Sequence, residues 1–234
     1  MSMHIPALIF ARMDSSRLPG KALMPLAGQP VLGRVIRRLA LADEIDGIVV
    51  CTSDRAVDDP IAAFAEVRKV GLFRGSAEDV LGRAAAAARS LNADAVVRIS
   101  GDSPFIDPVL VDQLISAHRD IEPDLTTNVH PRTYPAGLSV EVLAMPTLQK
   151  LDQVVSEPAD REHVTPYIYR HADDFRIRNV AAPEPLRDVD LALDTETDFT
   201  FQSWLAGEVA DDAGLDKIIA AARRYPARLK EAAS

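Results

Sequence analysis

Ile5-Pro6-Ala7-Leu8-Ile9-Phe10 is an almost wholly apolar run, the pattern of a strand covered on both faces. A turn-rich stretch follows, with Ser15, Ser16, Pro19 and Gly20. Pro30 then opens a segment in which Val31, Leu32, Val35, Ile36 and Leu39 recur at helical spacing. The same alternation repeats. Residues 45–52 predict a second apolar strand, and 58–67 a helix with Pro60 in its first turn. Residues 70–73 predict a short strand, and 77–91 an Ala-rich helix with Ser76 as N-cap and Asp79 three residues on. Residues 94–99 predict the next strand, and Asp107 caps a helix running to residue 119 with Pro108 in first position.

Four strand–helix repeats predict a three-layer α/β/α fold: a mostly parallel, Rossmann-like sheet joined by right-handed crossovers. After residue 122 the pattern becomes irregular. Strands are predicted at 124–129, 139–143 and 175–180, and helices at 146–155, 160–171 and 215–224. Leu191-Ala192-Leu193-Asp194 is a short apolar run tipped by an acid. Without linkers or repeats, the chain predicts one domain over 1–234, regular over 1–122 and irregular over 123–234.

Composition narrows the classes. No apolar run is long enough to cross a bilayer, and Met1–Pro6 lacks the plan of a secretory leader, so a cytoplasmic protein away from membranes is expected. The single Cys51 excludes an internal disulfide framework and reads as a buried residue at a strand end. His4, His118, His130 and His171 lack metal-site spacing. The formal net charge of −9 counts against a broad nucleic-acid surface. Yet Arg12, Arg17, Lys21, Arg34, Arg37 and Arg38 face only one acid, Asp14, over the same stretch, a local island suited to a small polyanion. Arg37 and Arg38 fit a solvated helix face; the loop cations fit it less well.

The loop at residues 11–21 lies at the carboxyl end of the first strand, where open α/β sheets bind ligands. Small residues let a phosphate approach the backbone, and Arg12, Arg17 and Lys21 supply charge. The loop is neither a Walker A sequence nor a Gly-x-Gly-x-x-Gly fingerprint. Two acids end apolar strands. Asp102, in Ser100-Gly-Asp-Ser-Pro104, reads either as a Mg²⁺ ligand or as a turn residue capping the next helix. Asp194 reads either as a metal ligand or as an N-cap, with Asp188 and Asp190 as rivals.

These residues carry a resemblance. Ala11-Arg-Met-Asp-Ser-Ser-Arg-Leu-Pro-Gly-Lys21 with Leu26-Ala-Gly-Gln-Pro-Val-Leu32 resembles the signature of the cytidylyltransferase family, which includes the CMP-sialic acid and CMP-Kdo synthetases. The match is nearest to its spore coat polysaccharide biosynthesis protein F group. Phe73-Arg-Gly-Ser-Ala-Glu-Asp-Val-Leu81, Arg98-Ile-Ser-Gly-Asp-Ser-Pro-Phe-Ile-Asp-Pro108, Tyr134-Pro-Ala-Gly-Leu-Ser-Val-Glu-Val142, Arg161-Glu-His-Val-Thr-Pro-Tyr-Ile-Tyr169 and Leu193-Asp-Thr-Glu-Thr-Asp-Phe199 resemble its later blocks.

The resemblance implies the nucleotide-diphospho-sugar transferase fold, with a nucleotide-binding half at 1–122, a sugar-binding and dimerising half at 123–234, and a homodimer with its interface around 130–170. It implies a Mg²⁺-dependent transfer from CTP to an acidic or surface-polysaccharide sugar, giving a CMP-sugar and pyrophosphate. Arg12, Lys21 and Asp102 are then the catalytic candidates. Ala11, Met13, Ser15, Arg17, Arg74, Gly75, Ser76 and Asp79 join them around the nucleotide. Asp102 and Asp194 hold the metal, and Glu141, Arg161, Glu162 and His163 face the sugar, although a lone helical His is also compatible with a structural role. Asp14 stands where such loops carry Gly; its carboxylate must turn away from phosphate or meet a cation.

Two other readings share parts of this pattern. Nucleotidyltransferases using UTP, GTP or another triphosphate usually show a Gly-rich first loop, whereas this one has only Gly20 before Lys21. A non-catalytic nucleotide- or sugar-binding module would predict loss of Asp102 or Asp194, and both are present.

Overall fold

A computed structural model describes residues 3–225; Met1 and Ser2, which begin the segment read for a leader, and residues 226–234 lie outside it. The strands are β1 (Ala7–Phe10), β2 (Pro25–Leu26), β3 (Gln29–Pro30), β4 (Ile48–Ser53), β5 (Gly71–Gly75), β6 (Ala95–Ser100), β7 (Leu125–Thr127), β8 (Glu141–Ala144) and β9 (Ile177–Asn179). The α-helices are α1 (Val31–Leu39), α2 (Asp59–Arg68), α3 (Val80–Ser90), α4 (Pro108–Ile121), α5 (Met145–Val154), α6 (Pro158–His163), α7 (Pro166–Arg170), α8 (Glu196–Glu208) and α9 (Leu215–Ala222).

Seven strands form one sheet in the order β5-β4-β1-β6-β8-β7-β9. β5, β4, β1 and β6 are parallel, so their carboxyl ends share one edge. β8 runs antiparallel to β6 and β7, while β9 is parallel to β7. The alternation of Ala7 and Ile9 against Leu8 sorts the core into two layers. Ile9, Val50 and Val97 pack with α1, α4, α8 and α9. Leu8, Cys51 and Val96 pack with α3, α5 and α7. The fold is therefore α/β/α, as the four repeats require. Cys51 is fully buried, and burial pushes its thiol up to about 12.

Four expectations need correction. Asp79, not Ser76, is the N-cap of α3: its side chain accepts from the Gly82 N–H, while Ser76 Oγ accepts from the Asp79 N–H. The single helix expected at 160–171 is two, because Val164 takes φ of 71° and Pro166 starts the second. Residues 191–194 form no strand; the chain there is held by an isolated bridge between Ala136 and Asp190. Arg38 is not solvated. It is buried, and it donates to the carbonyls of Ile106, Asp211 and Ala213, whereas Arg37 stays exposed and pairs with Asp211. No helix among the described residues is long and apolar enough to cross a membrane.

Candidate active site

At the shared carboxyl edge, the 11–21 loop leaves β1 and covers a cleft of about 260 Å³. Its walls come from the loop (Ala11, Arg12, Ser15, Arg17, Lys21), from β6 and its turn (Arg98, Ser100, Asp102) and from α3 and α6 (Arg83, Glu162, His163), with Asp194 closing one side. Gly101 is required where the turn meets the loop, since a Cβ there would lie 2.7 Å from the Ala11 Cβ.

Lys21 is the hub. It starts a short 3₁₀ turn after Gly20, whose φ of 76° suits glycine. Its ammonium lies 2.5 Å from Asp102 Oδ2 and 3.0 Å from Asp194 Oδ1, and it donates to the Leu193 carbonyl at 2.6 Å. Lys21 is 8% exposed, so these three acceptors stand in for water around a nearly dry charge. Asp102 is oriented by Ser100 Oγ, which donates to its Oδ1 at 2.5 Å. The cap of the following helix is Asp107, which removes the turn-cap reading of Asp102. Thr195 caps α8 in a reciprocal box with Asp198, leaving the Asp194 side chain to Lys21 and to Arg17 at 2.9 Å. The rivals are engaged elsewhere: Asp188 pairs with Arg223, and Asp190 accepts from the Ala192 N–H.

The loop is thus charge-paired throughout. Arg12 reaches Glu162 at 3.1 Å across the cleft. Asp14 meets a cation: Arg55 hydrogen-bonds its carboxylate, and Arg12 lies 3.8 Å away. Burial pushes the Asp14 carboxyl up, but the Arg55 bond and the charges of Arg55 and Arg12 outweigh it and hold the group below its ordinary value. Met13 contributes through its backbone, donating to buried Asp58 at 2.6 Å.

Other expected site residues lie outside the cleft wall. Arg74 donates to the Ser53 and Arg55 carbonyls and pairs with Asp59 at 2.8 Å. Gly75 leaves room for the Arg83 stem, and the Ser76 carbonyl accepts from Arg83. Asp79 and Arg161 form a two-pronged pair that ties α3 to α6, and Arg161 also holds Asp152. Glu141 is 3% exposed and accepts from Tyr169 and from Arg98 at 2.6 Å, so Arg98, rather than Glu141, faces the cleft. Arg98, Ser100, Arg83 and Asp58 escaped the sequence reading. For Arg98 and Ser100 a signal existed: both sit on the cleft-side alternation of β6 with Asp102 just beyond.

Among the described residues no cluster of three or more metal-ligating side chains is gathered. Two carboxylates that converge on one cation, beside a cleft lined by Arg12 and Arg17, still match the way Mg²⁺ is held, by one or two carboxylates plus substrate oxygens.

A cytidylyltransferase family model matches residues 6–211. The chain is 34% identical over 199 residues to the spore coat polysaccharide biosynthesis protein SpsF of Bacillus subtilis, covering 82% of each chain. It superposes with a TM-score of 0.92 on a cytidylyltransferase from Leptospira borgpetersenii, at 29% identity and 98% coverage of both chains. A CMP:2-keto-3-deoxy-manno-octonic acid synthetase complexed with CTP shares the fold at TM-score 0.65 and 22% identity, over 88% of this chain and 100% of that one.

Proposed function

The chain belongs to the cytidylyltransferase family, and from that premise we propose that it transfers a cytidylyl group from CTP to an acidic or surface-polysaccharide sugar, releasing pyrophosphate. The observation that carries this reading is Lys21 held between Asp102 and Asp194 beneath a cationic loop. Attack of a sugar oxygen on the α-phosphorus builds charge on the phosphoryl oxygens and on the departing pyrophosphate, so catalysis calls for fixed cations and in-line positioning. Arg12, Arg17 and Lys21 would exchange their carboxylate partners for phosphate oxygens as the nucleotide enters. The exchange keeps each cation paired at every stage.

Asp102 and Asp194 would hold Mg²⁺, which supplies Lewis-acid stabilisation of the phosphoryl oxygens. Ser100 keeps Asp102 oriented toward that position. Arg98, Glu162 and His163 form the remaining wall and would receive the sugar. Glu141 acts through Arg98, and Arg161 through the placement of α6. The Arg74–Asp79 segment, with Gly75 and Ser76, supports the nucleotide side from behind the wall. In this reading the enzyme is cytoplasmic and homodimeric, with residues 130–170 at the interface.

Pyrophosphate release measured with each of the four triphosphates, Mg²⁺ and a panel of 2-keto-3-deoxy and related sugars tests the reading. CTP should support release with at least one sugar. Equal release or equal binding for all four triphosphates would overturn the cytidylyl assignment.

A further inference from the structure

Arg83 is a charged side chain only 6% exposed, yet it forms part of the cleft wall. Among the described residues its one hydrogen bond goes from Nη1 to the Ser76 carbonyl at 2.6 Å, and its buried Nε finds no partner there. Burial lowers its pKa, while Cys51, Asp58 and Asp54 act on it only through their fields and offset part of that effect. Among the described residues no carboxylate stands within ion-pair distance of it, in contrast to Arg12, Arg17 and Lys21. A buried guanidinium left this far short of acceptors is unfavourable. In a ligand cleft, the ligand can supply what is missing.

The surroundings indicate which part of the ligand. The three loop cations already face the phosphate path. Arg83 arises from the first turn of α3, and its guanidinium lies 5.8 Å from the centre of the Phe10 ring. Phe10 and Val80 share the wall with it. Apolar neighbours beside a donor fork suit a flat heterocycle better than a triphosphate. Gly75 belongs to the same arrangement, because a Cβ there would come within 3.2 Å of Arg83 Cγ and crowd the stem.

Resting on the cytidylyl reading, we infer that Arg83 reads the base, donating to the O2 and N3 acceptors that cytosine presents side by side. Uracil carries N3–H at that position, so a donor would face a donor. Arg83 is therefore a specificity-determining residue for CTP over UTP.

Calorimetric titration of wild type, R83K and R83Q with CTP, UTP and inorganic triphosphate, each with Mg²⁺, tests this. Both variants should bind CTP roughly ten- to a hundredfold more weakly, the effect of losing one charge-assisted fork, while UTP changes far less. Inorganic triphosphate should bind all three proteins alike. An equal loss for inorganic triphosphate, or full recovery of CTP binding in R83K, would make Arg83 a phosphate contact and overturn the inference. An unchanged CTP-to-UTP ratio would overturn it as well. R83K keeps stem and charge, so it decides the matter if R83Q does not melt cooperatively. A wild type without CTP preference removes the cytidylyl reading itself, whereas a preference that survives in the variants removes only the role of Arg83.

Discussion

Replacing Asp58 by Ala should lower the melting temperature and weaken nucleotide binding together. Asp58 is fully buried at the start of α2, beneath the 11–21 loop. Its carboxylate accepts from the Met13 N–H at 2.6 Å and from the Ser53 hydroxyl, with Arg55 at 3.9 Å. Truncation strands a backbone N–H and a hydroxyl. Hydrogen bonds to a charged group contribute about 1.5–3 kcal/mol each. Relief of the buried charge offsets part of this, leaving a net loss of about 2–4 kcal/mol. For a chain of this size that lowers the melting point by roughly 5–15 °C. Asp58→Asn keeps one acceptor and should lose about half as much. Scanning calorimetry gives the stability, and triphosphate titration gives the binding. If Asp58→Ala melts within about 2 °C of wild type and binds nucleotide equally well, the loop is not anchored from below.

Lys21→Gln leaves Asp102 and Asp194 facing each other without their shared cation, so CTP affinity should fall at least about tenfold, and an unchanged dissociation constant would remove Lys21 from the phosphate path. Burial pushes Asp79 up, but its bonds from Arg161 and the Gly82 N–H hold it below the ordinary value of 3.8. A depressed carboxyl adds stability above that ordinary value and loses it as pH falls through the depressed one. The melting-point gap between wild type and Asp79→Asn should therefore be fully open at pH 7 and narrow steadily as pH falls below about 4; a gap that does not narrow at all on acidification refutes the assignment. Gly137 has φ of 82°, and a Cβ on it would meet the Leu191 carbonyl oxygen at 2.1 Å, so Gly137→Ala should displace the segment leading to Asp194 and lower turnover. Turnover equal to wild type would show that the segment tolerates the shift.

The first half of the fold was legible because its strands are covered on both faces and read as continuous apolar runs, and because Asp107-Pro108 spells out a helix start. The second half hides its order in pairings of three residues, such as β7 with β9, which tertiary context alone selects. α8 was legible only as a short helical turn after an N-cap at Asp194, for a different reason. One of its buried positions is Gln202, which donates to the Leu191 carbonyl, so no apolar stripe announces the helix. Its capping box, Thr195 with Asp198, was the readable sign. In the site, Lys21, Asp102 and Asp194 could each be singled out at strand ends; that one ammonium joins them depends on the return of the chain near residue 194. Arg83 could not be singled out, because an Arg in an Ala-rich helix reads like any solvated charge until Phe10 and Gly75 are seen against it.

The most direct test of the account is product formation by wild type and Asp102→Asn, with CTP, Mg²⁺ and the accepted sugar, followed by phosphorus NMR. The account predicts one CMP-sugar per pyrophosphate from wild type. It predicts a folded Asp102→Asn protein whose rate is lower by several kcal/mol of transition-state stabilisation, at least about a hundredfold. Wild-type rates from Asp102→Asn would contradict the assignment of the Lys21–Asp102–Asp194 cluster as the reaction centre.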